Sequence, residues 1–207
     1  MRYNTRAFMS FDIEVIKNDL RLLDKYQFYR RYIMDSSNWY FSEYRHRTIA
    51  TPEDQLNDLK TIVSKSIGVS FESVYMVGSA KLGCSLSPGK KRFLPFGETS
   101  DIDIVVVSLK LFVHFWHRLL DEQRYRDRVI YRCIMPTVFK GYINEKPLSL
   151  LNKIGNEWHQ RFSEAKKRLQ NELEIIHRIS FRVYRCKEDF ERYHLKGIAY
   201  IKQEEGI

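Results

Sequence analysis

Cysteine is scarce in this chain, and its three residues, Cys84, Cys133 and Cys186, lie far apart. An odd, scattered set makes neither a CxxC metal pattern nor a disulfide framework, which points to a reducing, cytoplasmic setting. Long apolar runs are missing too. No stretch approaches the length of a membrane span, and the polar start MRYNTRAFMS is not a signal peptide, so no membrane partner is expected. Internal repeats and low-complexity tracts are absent. Negative charge is in the minority, with Asp+Glu 26 against Lys+Arg 35 and a net charge of +9. That excess suits an anionic partner such as a nucleotide, a nucleic acid or an acidic protein, or it serves solubility alone.

What is present reads as a folded protein. A chain of 207 residues with 43% hydrophobic content can bury one core, so a single domain spanning 1–207 is expected. Its 13 Tyr and 13 Phe are mostly core, with some free to stack on bases. Residues 11–34 carry Ile13, Ile16, Leu20 and Leu23 at three- and four-residue steps and read as one amphipathic helix capped by Ser10 or Asp12. Residues 35–38 break it. The aromatic cluster Trp39, Tyr40, Phe41 and Tyr44, beside Arg45, His46 and Arg47, packs helices or grips an acceptor, with packing favoured. Thr51-Pro52-Glu53-Asp54 starts a helix, with a Thr cap, Pro in the first turn and acids at the positive end, and Gly68 ends it. Residues 1–67 thus form a helical arm ahead of a core at 68–207. In that core, residues 109–125 read as a helix, 129–134 as a strand stopped by Pro136, 141–147 as a loop and 148–172 as a helix. Ile179 to Tyr184 alternates strictly and reads as a half-buried strand with Ser180, Arg182 and Tyr184 outward, and 187–201 reads as the last helix.

The chain is organised around residues 74–108. A short apolar strand ends in Gly78-Ser79, and Asp101-Ile102-Asp103 opens the apolar run Ile104 to Val107. Alternate strand residues share a face, which sets Asp101 and Asp103 side by side about 7 Å apart while Ile102, Ile104 and Val106 turn to the core. Two crowded carboxylates need a compensating cation, and oxygen ligands suit Mg²⁺ or Mn²⁺ completed by phosphate oxygens. Gly78 permits a close backbone approach, and Ser79 offers a hydroxyl and an N–H to phosphate. Metal ligands and a phosphate cradle are the two halves of a phosphoryl-transfer site. Between them, residues 81–99 hold Gly83, Pro88, Gly89, Pro95 and Gly97 and read as an irregular loop. Its basic tip Lys90-Lys91-Arg92 contacts triphosphate or a nucleic-acid backbone, or is simply solvated.

Gly78-Ser79 after a strand, followed by Ser100-Asp101-Ile102-Asp103-Ile104 opening the next, resembles the nucleotidyltransferase superfamily that includes DNA polymerase beta. The resemblance covers residues 74–108. It implies an α/β (α+β) fold, a small mixed sheet flanked by helices, and a Mg²⁺-dependent transfer of a nucleoside monophosphate from an NTP with release of pyrophosphate. It implies that Gly78 and Ser79 hold the triphosphate with Lys81 assisting, and that Asp101 and Asp103 bind the metal. The acceptor would be a nucleic-acid end, a nucleotide, a protein side chain or a small molecule. Some superfamily members of similar size serve in bacterial defence or toxin–antitoxin pairs. Two departures stand out: the spacing from Ser79 to Asp101 is long, and the family's third carboxylate has no evident counterpart. Asp127, Glu172 and Glu174 are its candidates. If none reaches the pair, a degenerate nucleotide- or RNA-binding subunit is the expected alternative.

Overall fold

The computed structural model describes residues 11–45, 50–87, 92–122 and 128–206. The readings placed on His46, Arg47, Lys90, Lys91 and Asp127 lie outside them. Helix α1 (Ile13–Leu22) is capped by Asp12, whose carboxylate accepts the Glu14 N–H at 2.7 Å. The helix stops at Leu23. Asp24 then caps a new one, α2 (Lys25–Tyr29), through a reciprocal box with Gln27, and the chain continues as a wide turn over Arg30–Met34. The single helix expected over 11–34 is therefore broken in two, because Asp24 competes for the N–H groups that would have continued it. Helix α3 (Pro52–Ile67) follows the sequence reading closely. Thr51 and Asp54 form its capping box, and Gly68 closes it at a φ of 73°.

The sheet has four strands in the order β1-β2-β4-β3. β1 (Val74–Val77) runs antiparallel to β2 (Ile102–Val107), β2 runs parallel to β4 (Ile179–Tyr184), and β3 (Tyr142–Asn144) closes the far edge antiparallel to β4. Between β1 and β2 lies the short α4 (Ser79–Leu82); between β2 and β4 come α5 (Leu109–Asp121), α6 (Arg128–Phe139), α7 (Glu145–Leu148) and α8 (Asn152–Glu172). The chain then ends in α9 (Lys187–Glu204). Two sequence expectations are corrected here. Residues 129–134 are helical, and Pro136 sits inside α6 instead of stopping a strand. A short apolar run has no period that separates buried helix from strand. The strand lies instead at Tyr142–Asn144, inside the segment expected as a loop.

Both faces of the sheet are covered. One carries Val74, Met76, Ile102, Ile104, Val106, Phe181 and Val183, packed with Leu59 and Val63 of α3, Phe115 of α5 and Trp158 and Phe162 of α8. Helix α3 is thus packed into this core. The other face carries Val77, Val105, Tyr142 and Tyr184 under Ile16, Leu20 and Phe28 from α1–α2 and Phe190 and Ile198 from α9. Tyr184, expected outward, is fully buried because α9 folds back over its ring, in edge contact with Phe190 at 5.3 Å. Burying so much aromatic surface stabilises the fold by roughly 1.5–3 kcal/mol per large side chain.

Candidate nucleotide site

The site lies on the second face, at the end where β2 begins. Register places Val77, Asp103 and Ser180 in one row across β1, β2 and β4, and Val105, Arg182 and Asn144 in the next row across β2, β4 and β3. Side chains in such rows share a face. Asp103 Oδ1 accepts a hydrogen bond from Ser180 Oγ at 2.6 Å. Its other oxygen, Oδ2, lies against Gly78. A Cβ at position 78 would stand 2.8 Å from it, and Gly78 holds a φ of 73° that side chains rarely adopt. The turn and the carboxylate were expected to cooperate, and here they abut. Glycine is required there on both steric and conformational grounds.

Asp101 lies just before β2 and keeps 40% of its side chain exposed, with Arg178 Nε 3.5 Å from Oδ1. Ser79 opens α4 directly after the Gly78 turn. Lys81 points elsewhere: it is buried, and its ammonium donates to the carbonyls of Ser37, at 2.6 Å, and of Asp35. Burial lowers its pKa to about 8. Its charge is thus committed to tying α4 to the 35–37 break. Trp39 seals the same joint, since a Cβ on Gly83 would meet its ring at 2.7 Å. Tyr40 and Phe41 are wholly buried, and Tyr40, Tyr44, Phe96 and His177 pack ring against ring, so the aromatic cluster is packing.

The candidate third acids are engaged elsewhere or not described. Glu172 pairs with Arg168 at 2.6 Å and Glu174 with Arg45 at 2.9 Å, while Asp127 lies outside the described residues. Among the described residues, no group of three or more His, Cys, Asp or Glu stands together as a metal cage. A single Mg²⁺ takes one or two carboxylates and fills its shell with water and substrate phosphate, and Asp101 and Asp103 are the carboxylates that the start of β2 offers it. Arg92, one residue of the basic tip, is drawn back to Glu204 at the end of α9 and to Glu205, just past it, at 3.2 Å.

Beyond Asp103 lies the partly buried cation Arg182, which the strand reading placed outward. Arg182 stacks over Tyr142 and Tyr193, at 5.0 and 5.3 Å to the ring centroids, and donates to Tyr184 Oη at 3.4 Å. Burial opposes its charge, yet the Tyr184 and Tyr193 phenols and the Asp103 carboxylate together raise its pKa. Asn144 and Arg178 went unnoticed in the sequence, because only the sheet order brings β3 and the approach to β4 beside β2. No protein-family model, curated protein or solved structure matches the chain.

Proposed function

We propose that the chain is a Mg²⁺-dependent nucleotidyltransferase. The observation that carries this reading is the close approach of the Gly78 turn to the Asp103 carboxylate, the juxtaposition that a phosphate cradle beside a metal-binding acid would need. In this reading the Ser79 hydroxyl and N–H hold the terminal phosphates of an NTP. Asp101 and Asp103 hold Mg²⁺, or Mn²⁺, which when bound offsets phosphate charge and polarises the reacting phosphoryl group. An acceptor hydroxyl oxygen bonds to the α-phosphorus as the bond to the bridging oxygen breaks. Pyrophosphate departs with that oxygen, and the hydroxyl proton passes to water. Ser180 fixes the Asp103 carboxylate by its hydrogen bond. Lys81 supports the turn from behind through the carbonyls of Asp35 and Ser37.

A second reading has its own observation. The neighbours of Asp103 on β4 are Ser180 in register and Arg182 in the next row, where a further carboxylate would complete the acid set. With a hydroxyl and a cation there, a subunit that binds nucleotide without turning it over by itself is the alternative. The two are separated by incubating the chain with radiolabelled NTPs and Mg²⁺ or Mn²⁺. Product that disappears in Asp101→Ala and Asp103→Ala supports transfer. Nucleotide binding without product supports the second reading.

A further inference from the structure

The sheet order gives the site two sides. Gly78-Ser79 lies on the β1 side of Asp103, and β4 and β3 lie on the other. In phosphoryl transfer the attacking and leaving oxygens stand roughly in line across the phosphorus. If the leaving pyrophosphate occupies the β1 side, the acceptor must come over β4 and β3. Two polar groups there are incompletely satisfied. Asn144 Oδ1 is buried without a hydrogen-bond partner, although Asn144 is the register partner of Arg182 on the same face. The Arg182 guanidinium has, among the described residues, no carboxylate within ion-pair distance; its direct neighbours are two tyrosine rings and one phenol oxygen. A guanidinium has five N–H donors, and the Asp103 carboxylate one row away favours its charge without standing within ion-pair distance. His194, whose ring Nε2 is also buried and unpartnered, brings no compensating charge. Arg182 and Asn144 nevertheless both keep part of their surface in contact with solvent.

We infer that Asn144 and Arg182 form an acceptor subsite that takes a nucleotide phosphate on the guanidinium and a neighbouring ribose hydroxyl or base amino group on Asn144 Oδ1. The phosphate supplies the planar, bidentate anion that an arginine fork matches. The adjacent donor satisfies the orphaned amide oxygen. Tyr193, partly exposed on α9, offers a ring face at the subsite's edge. This inference rests on the nucleotidyltransferase reading for the direction of approach, but not for the binding chemistry. The acceptor would be a mononucleotide or the end of a nucleic-acid strand, and both carry the same phosphate beside a hydroxyl.

The test measures three affinities on the full chain: a non-hydrolysable NTP with Mg²⁺ by calorimetry, adenosine 5′-monophosphate by calorimetry, and a fluorescent RNA decamer with a free 3′ hydroxyl by anisotropy. Two variants are compared. Arg182→Lys keeps the charge and loses the fork. Asn144→Asp places a carboxylate beside the guanidinium, which should pair with it internally and raise the melting temperature, so folding is not at risk. Both should weaken RNA or monophosphate binding at least tenfold and change NTP affinity less than about threefold. Loss for RNA alone identifies a strand end as the acceptor, and equal loss for both identifies the phosphate itself. Unchanged RNA and monophosphate affinity in Asn144→Asp overturns the subsite. So does an equal loss of NTP affinity in both variants, which would place Arg182 in the triphosphate site. Failure of the wild type to bind NTP, with the RNA effects intact, would instead sink the transferase reading and leave the subsite standing.

Discussion

At the scale of single residues, Gly78 and Lys81 hold the turn between β1 and α4 for different reasons. Gly78 combines a positive φ with direct contact to Asp103. Gly78→Ala is expected to cost on the order of 1–3 kcal/mol of stability from backbone strain alone and to abolish NTP binding. Urea unfolding and calorimetry check the two halves separately. Lys81 makes its contribution through pH. Its folded pKa is about 8, below the ordinary 10.5, because burial disfavours the ammonium. The unfolded chain therefore binds more protons between these values, and stability must rise with pH across that window. The contribution is full above 10.5 and is lost as pH falls through 8. Relative to Lys81→Met, the wild type should gain on the order of 3 kcal/mol between pH 7 and 10.5. The comparison of variants removes the opposite trend of the buried tyrosines Tyr29, Tyr32 and Tyr184, whose raised pKa values make stability fall at higher pH. A flat difference would show that the two carbonyls compensate the buried charge in full.

Elements with strong local chemistry are those the sequence reveals. The α3 boundaries follow from Thr51, Pro52, Asp54 and Gly68, each acting on a specific end group of the helix. Thr51→Ala should cost about 1 kcal/mol, read as a lower urea midpoint with an unchanged slope. β2 and β4 are legible because alternation and β-branched residues coincide; the β4 bounds match the reading, whereas β2 begins at Ile102 and leaves Asp101, expected on the strand, just ahead of it. α6 and β3 were not legible, since an apolar run such as 129–134 fits either state and a three-residue strand exists only through its pairing with β4. The Asp24 cap that splits the first helix was present in the sequence as one more polar residue on an amphipathic pattern. Of the candidate site, Gly78, Ser79, Asp101 and Asp103 are proposed from local spacing alone. Ser180 was visible only as an outward residue, and Asn144 not at all, because no local pattern states which strands become neighbours.

For the molecule as a whole, the sheet order brings distant segments together: the turn after β1, the start of β2, and the rows of β4 and β3 beside them. In the proposed reading, the chain's net charge of +9 suits a polyanionic partner. If the partner is a nucleic acid, raising salt from 50 to 200 mM should weaken RNA binding by about tenfold or more, since counterion release drives association. Salt-insensitive binding would favour a small-molecule or protein acceptor. The absence of a clustered third acid among the described residues makes turnover, more than binding, the decisive property. The most direct measurement is incubation of the chain with all four NTPs and dNTPs, Mg²⁺ or Mn²⁺, and cellular RNA, read by mass spectrometry alongside a pyrophosphate assay. The account predicts pyrophosphate release matched by an acceptor heavier by one nucleoside monophosphate, both lost in Asp101→Ala and Asp103→Ala with the fold intact by circular dichroism. Transfer that persists in both variants would contradict it.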